Sequence, residues 1–176
     1  MSQRFGPDNA RLTIRTARSG AAAKAGHDLL IEVRSWEATL EMPEGGGGDS
    51  DGVVTLTADS RSLRVVEGTG GMKALDDDDK ANIVKTIDDE VLKGCPIVFR
   101  SSEVDPRPEG LRVAGELELG GRRGPMTFEL TMRDGRLTGT STVKQTAFGI
   151  KPYSALFGTL KVADEVQVAI EAQASL

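Results

Sequence analysis

Apolar and polar residues alternate with period two along most of this chain. Leu12, Ile14 and Thr16 interleave with Arg11, Thr13 and Arg15, and Leu29, Ile31 and Val33 form a second run. Trp36, Ala38, Leu40 and Met42 continue that run with opposite parity, so the slip at Arg34-Ser35 predicts a bulge or sharp bend in one long strand. Val54, Leu56 and Ala58 give a third strand, and Ile97, Phe99 and Ser101 a fourth. Four more follow: Leu111 to Leu119, Met126 to Met132, Leu137 to Val143, and Val166 to Ile170. Most of these eight strands are separated by turn residues such as "PEG", "GGRRGP" and "RDG".

One segment breaks the period. "LDDDDKANIVKTIDDEVLKG" carries Ile83, Val84, Ile87 and Val91 at helical spacing, with Gly94 as a stop and Asp76 to Asp79 where a helix N-terminus favours negative charge. Ile83, Ile87 and Val91 would lie against a sheet or a barrel end. "GAAAKAG", Gly20 to Gly26, is long enough for one short helical turn only. "EGGGGDSDG", Glu44 to Gly52, reads as a flexible loop tip, because strand patterns resume on both sides. No internal repeat or linker divides the chain, so residues 1–176 are expected to form a single domain.

Eight mostly antiparallel strands with one apolar face each require a sandwich or a closed barrel, and closure also removes the exposed edges. An eight-stranded barrel either fills its interior with side chains or holds one small ligand. The inward set includes Gly115, Gly139, Ser141, Ala38 and Ala58, which fill little volume, and few aromatics besides Trp36, Phe99 and Phe128. That composition points to a hollow interior.

"QTAFGIKPYSALFG", Gln145 to Gly158, holds three of the seven aromatics of the chain. Lys151-Pro152 and Gly158 read as turn chemistry, so Phe148, Ile150, Tyr153, Leu156 and Phe157 are apolar groups in a loop that something must cover. A lid over the barrel, packed partly on core and partly on a ligand, satisfies this.

Charge and chemistry narrow the function. The net charge of −5 offers no basic stripe for nucleic acid. The single Cys95 excludes an internal disulfide, fits a reducing compartment and, with one His, is too little for a His/Cys metal site. Nowhere do eighteen apolar residues run together, so no membrane span is expected. "MSQRFGPDNARLTIRT" lacks an apolar h-region, which predicts a cytoplasmic protein. His27 and Asp28 of "GHD" would point to opposite faces of a strand and cannot form a dyad. "DDDDK" fails the calcium-loop pattern, with Ala81 and Ile87 at the sixth and twelfth places. "EGTGGMK" lacks phosphate-loop spacing and reads as a turn with positive φ. Arg122 and Arg123 of "GGRRGP" read as solvated turn cations, and nothing near Cys95 activates its thiol. No cofactor fingerprint is present.

The order of these motifs is familiar. "AAAKAGHDLLIEVRSWEATLE", "EGTGGMKAL", "VLKGCPIVFRSSEV", "VAGELELGGRRGPMTFEL" and "FGIKPYSALFGTLKVADEVQVAIEA" resemble the YceI-like family of polyisoprenoid-binding, lipocalin-like proteins, from about Leu12 to Ala172. The resemblance implies an extended eight-stranded antiparallel barrel with one helix packed at an end, and an apolar tunnel for a long amphiphile. Carried over residue by residue, it puts His27, Phe99, Phe128, Phe148, Ile150 and Tyr153 at the tunnel or its mouth; parity adds Trp36 and Leu117. Two features depart from the family pattern. Many members carry a secretory signal, and members often have an aromatic or His where this chain has Cys95 before Pro96. The expected function is non-catalytic binding, sequestration or transport of an apolar molecule such as a polyisoprenoid, lipid or quinone, with a homodimer as a possible assembly. The rival expectations are an enzyme using His27 and Tyr153 on a lipid or quinone-like substrate, and a ligand-free, stress-linked interaction module.

Overall fold

The computed structural model describes residues 1–43 and 52–173. The loop-tip expectation for Glu44 to Gly52 lies outside the described residues, Gly52 excepted. In chain order the elements are β1 (Ser2–Phe5), β2 (Ala10–Thr16), β3 (Arg18–Ser19), β4 (His27–Val33), β5 (Trp36–Glu41), β6 (Val53–Ala58) and β7 (Leu63–Gly70). Helix α1 (Asp77–Thr86) follows, then β8 (Ile97–Arg107), β9 (Gly110–Leu119), β10 (Arg122–Arg133), β11 (Arg136–Lys144), β12 (Ser154–Ala155), β13 (Leu160–Val162) and β14 (Glu165–Gln173).

Eleven of these strands form one curled antiparallel sheet in the order β1-β5-β6-β8-β9-β10-β11-β14-β2-β4-β7. Its inward positions are the alternating apolar residues of the sequence, and they form one core that includes Leu12, Ile31, Leu40, Val54, Phe99, Val113, Leu130, Leu137 and Ala172. A separate three-stranded sheet, β12-β13-β3, builds a small lobe beside one end.

The all-β, barrel-like architecture with one helix is as expected; the strand count is higher than eight. The run from Leu29 to Met42 is two strands and not one bent strand. Val33 and Trp36 are both buried while Arg34 and Ser35 face out, which is the parity slip. The corner is so sharp that β4 pairs with β2 and β7, whereas β5 pairs with β1 and β6. The chain crosses between the sheet's two ends here and again at Asp59–Ser62. The crossings are stitched together by Arg34 N–H donating to Ser62 O at 3.0 Å and Asp59 N–H donating to Ser35 O at 3.0 Å.

Two strands give almost no alternation to read. β1 has only Phe5 in the core, and β7 has Leu63 and Val65 before a bulge, opposite Leu30/Ile31, and a Gly-rich end. The Glu67–Lys73 turn expectation therefore holds only from Gly70, where φ is +80°, and Gly71, where φ is +74°. Among the described residues β1 and β7 do not pair, so the ladder stays open where closure was expected. Helix α1 packs on β7.

The hairpins β9–β10 and β10–β11 turn through two residues each. Gly120 (φ +57°) and Gly121 (φ +78°) supply the double positive φ that matches strand twist. Arg122 and Arg123 thus begin β10 and are not turn residues; Arg123 Nε sits 3.2 Å from Glu118 on the outer face.

Helix α1 starts with a capping box. Asp79 N–H donates to Asp76 Oδ1 at 2.8 Å, and Asp76 N–H donates to Asp79 Oδ2 at 3.2 Å. The Asp79 N–H bond, with Lys73 Nζ 3.3 Å away, holds the Asp76 carboxyl below the usual carboxylate range. After Thr86 the helix widens into a π-helical turn, Ile87–Leu92, and ends at Lys93 with φ +55°, one residue before the expected stop at Gly94. The hydroxyl of buried Ser60 donates to Asp88 Oδ1 at 2.7 Å and ties this turn to the β6–β7 crossing. The short helix at Gly20–Gly26 is a single 3-10 turn, Ala23–Ala25.

Candidate functional site

Inside the curled sheet lies an inner chamber of about 180 Å³. Every strand of the large sheet except β7 contributes to its wall, and among the described residues no charged side chain does. Phe99, Leu117 and Phe128 line it, as do Leu12, Leu40, Leu130 and Ile170. The rings of Phe99 and Phe128 meet with centroids 5.2 Å apart and planes tilted by 59°. They belong to β8 and β10 and reach each other across β9 because Gly115 stands between them; a Cβ there would lie 2.8 Å from the Phe99 ring.

That packing corrects part of the hollow-barrel argument. Gly115 leaves no void, since Phe99 occupies the space, and a Cβ on Gly139 would lie 2.6 Å from Leu130. The neighbours of small residues lean into the volume those residues release. Ala38, Ala58, Gly139 and Ser141 still line the chamber, but it is narrower than their sizes suggest.

Above it, between the barrel end and the helix, is an outer chamber of about 470 Å³. Ile83, Ile87, Val91 and Leu92 form its helical wall, and Leu29, Ile31, Leu63 and Leu75 the wall beside it. Ile150 and Tyr153 come from the C-terminal aromatic segment, and Val162 from β13. Polar groups appear here that the inner chamber lacks. Asp79, Asn82 and Thr86 line the helix side, and Thr16 and Gln145 the barrel side, with no Lys or Arg among them. Four aliphatic side chains, Ile14, Ile97, Leu119 and Val166, line both chambers and so form the partition between them. They stay half-buried although they face inward, as walls of open space would be.

The aromatic segment divides. Gln145–Phe148 make a 3-10 turn closed by Gly149 at φ +66°. Asp164 anchors that turn, accepting from Thr146 N–H at 2.8 Å and from Thr146 Oγ1 at 2.6 Å. The Thr146 hydroxyl, and secondarily its amide, hold the Asp164 carboxyl below its usual range. The Gln145 amide nitrogen donates to Ala163 O at 3.0 Å. Phe148 and Ile150 are thereby buried, with Phe148 stacked against Gly124. The tip does the reverse. Leu156 (φ +50°) and Phe157 (φ +56°) are left-handed, which turns both side chains out to solvent. A lid covering the whole segment is not what forms, because those two dihedrals reverse the chain before it can fold down.

The expected site residues therefore separate. Phe99, Leu117 and Phe128 meet in the inner chamber, and Ile150 and Tyr153 in the outer one. His27, Trp36 and Phe148 line neither. His27 Nε2 donates to Lys73 O at 2.7 Å and its ring covers Gly71, so it fastens β4 to the loop after β7. Asp28 points the other way and accepts from Arg18 N–H at 2.8 Å, in keeping with opposite strand faces. Trp36 sits buried at the corner, beside a shallow external groove with Asp59, Arg61 and Pro96. Sequence reasoning missed the partition and the polar helix residues. The partition residues carried their signal in strand parity; Asn82 and Thr86 carried none, being ordinary helix residues until the helix lies across the barrel end.

Comparison with known proteins places this architecture. A family model for the YceI-like domain matches residues 12–174. The crystal structure of BcnA from Burkholderia cenocepacia superposes with a TM-score of 0.63 at 16% identity, covering 92% of this chain and 94% of that one. The YceI protein of Campylobacter jejuni superposes with a TM-score of 0.57 at 11% identity, covering 82% of each. Comparison with curated proteins gives no match. Among the described residues no helix is long and apolar enough to cross a membrane.

Proposed function

The chain belongs to the YceI-like family, and on that premise we propose that it is a non-catalytic binding protein for a long, neutral amphiphile of isoprenoid type. The observation that carries this is the pair of stacked chambers, one wholly apolar and one with a polar wall. The tail occupies the inner chamber and passes the partition; the head stays in the outer chamber beside Asn82, Thr86, Gln145 and Tyr153. Phe99, Leu117 and Phe128 hold the tail, Ile150 flanks the passage, and His27 acts indirectly by fixing the rim. A phosphate or diphosphate head calls for Arg or Lys. The polar wall offers instead neutral hydrogen-bonding groups and the Asp79 carboxylate, which is already paired with Lys73 Nζ at 3.4 Å. An alcohol, phenol or quinone head suits it.

Burial supplies the affinity, at about 0.8 kcal/mol per methylene, or on the order of 3 kcal/mol per five-carbon unit before ordering costs. A few units outweigh the entropy of association without a charged anchor. Catalysis is not favoured, because His27 is committed to Lys73 O and does not share a chamber with Tyr153.

Native mass spectrometry of detergent-free protein, followed by solvent extraction, tests the proposal. An added mass matching a neutral prenyl lipid or quinone is the expected result. An apo mass together with no uptake of added farnesol or geranylgeraniol would sink it.

A further inference from the structure

The small lobe next to the outer chamber combines two properties that have no use in holding a ligand. Its tip is apolar and fully in water. Phe157 is completely exposed, Leu156 is 54% exposed and Tyr153 45% exposed. Both tip residues hold left-handed backbone that L side chains adopt at a cost of about 1–2 kcal/mol each. Strain of this kind persists where the surroundings enforce it and clusters at functional segments. Here it keeps the tip from folding back onto the barrel. The loop after β7 lies beside the lobe, since the Arg18 guanidinium packs on Gly70, and it adds Met72, which is 89% exposed.

The second property is charge. The lobe is built from residues 17–26 and 150–163, which contain Arg18, Lys24, Lys151 and Lys161 and no Asp or Glu. The whole chain carries −5. Arg18 is neutralised by Asp28, with Nε 3.7 Å from the carboxylate. Lys24, Lys151 and Lys161 form no ion pair among the described residues. An acidic molecule with one cationic, acid-free lobe is oriented in a negative field, the lobe leading and the rest held off.

We infer that this lobe docks on an anionic lipid bilayer, with Leu156 and Phe157 inserting at the headgroup boundary and Lys24, Lys151 and Lys161 facing the anionic headgroups. Apolar insertion combined with basic residues is the chemistry of interfacial attachment, in which neither contribution suffices alone. A protein partner with an acidic groove would satisfy the charge, but a bilayer also accepts a fully exposed aromatic without a pre-shaped pocket. Docking turns the mouth at Tyr153 toward the membrane, so an amphiphile can move between bilayer and chamber with less of its tail crossing water. The attachment stands on the lobe alone; its use in loading rests on the carrier reading above.

The test sediments the full chain with vesicles of phosphatidylcholine and phosphatidylglycerol in a three-to-one ratio, and with vesicles of phosphatidylcholine alone. The expected result is binding to the mixed vesicles that added salt reverses, and little binding to the neutral ones. Phe157→Ser should weaken it about 10- to 100-fold, the loss expected for one buried aromatic. The combined Lys24→Gln, Lys151→Gln and Lys161→Gln variant should lose roughly five-fold per lysine, about a hundred-fold in all. Because Phe157 is fully exposed, its replacement leaves the fold intact, and such protein should take up farnesol from solution like wild type. Wild-type protein that stays in the supernatant with mixed vesicles, or variants that sediment unchanged, would overturn the inference. Self-association abolished by Phe157→Ser, without vesicle binding, would overturn it too and assign the tip to a second copy. Docking without any farnesol uptake would instead support the attachment and remove the carrier reading.

Discussion

The inner and outer chambers are made from the same kind of residue and behave as different materials. The inner one is a flaw in a core: strands surround it and Phe99 and Phe128 close across Gly115. The outer one is a joint between parts, where a helix, a sheet end and a loop meet around a larger space with a polar side. Side chains on regular strands are placed to within a rotamer, so gaps among them shrink as neighbours lean in. Parts that meet through a capped helix and a hydrogen-bonded turn cannot close so tightly. The lesson is that apolar residues do not by themselves make a binding site; incomplete packing between elements does.

The sharpest way to break the comparison is to truncate each wall. Phe99→Ala should cost about 3–5 kcal/mol of unfolding free energy, because the inner wall is also the core. Ile83→Ala, in the half-buried helical wall, should cost about 1 kcal/mol. Urea denaturation of the two variants checks this, and equal costs would mean that the chambers are equally part of the core.

Next in size is the partition. Val166→Phe narrows the passage and should lower affinity for geranylgeraniol by on the order of 100-fold for each five-carbon unit refused, while shorter prenols bind nearly as before. Leu119→Ala widens it and should favour the longer chains. Titration of a prenol series against both variants reads the effect, and a uniform change at all lengths would show that the chambers are already one.

Gly115→Ala probes how tightly the inner wall is packed. Its Cβ would meet Arg100 O at 2.3 Å and Ser101 Cα at 2.7 Å, backbone that cannot yield easily. A loss of about 1–3 kcal/mol is expected, with a lowered thermal midpoint as the readout.

The smallest effect concerns the turn that buries Phe148 and carries Ile150 to the outer chamber. Its anchor, Asp164, has a folded pKa depressed by Thr146. The stability this contributes is complete above the ordinary aspartate value of roughly 4 and is lost as pH falls through the depressed folded value. Acid should therefore lower the protection factor of the Thr146 amide, its exchange compared with the intrinsic rate at the same pH, and Asp164→Asn should abolish that pH dependence. An unaltered profile in the variant would assign the acid response to another carboxylate.

Much of this molecule was legible in its letters, and the part that was not has a common cause. Alternation is a local property: Leu12 and Ile14, or Leu137 and Val143, share a face whatever they pair with, so the strands, their inward residues and the resemblance of motif order could be read directly. The capping pattern of Asp76 to Asp79 and the helical spacing of Ile83, Ile87 and Val91 are local in the same sense, and so is the parity slip at Arg34-Ser35. Non-local contacts decided the rest. Only the folded chain splits Leu29–Met42 between opposite ends of a sheet, pairs the weakly patterned β1 with β5 and β7 with β4, and lets Phe99 fill the space Gly115 leaves. The division of Gln145–Gly158 into a buried turn and an exposed tip is likewise tertiary, since it depends on Asp164 holding one end and on left-handed dihedrals at Leu156 and Phe157, residue types that seldom adopt them. Strand identity follows from each residue and its neighbours in the chain; empty space depends on every side chain that might have filled it.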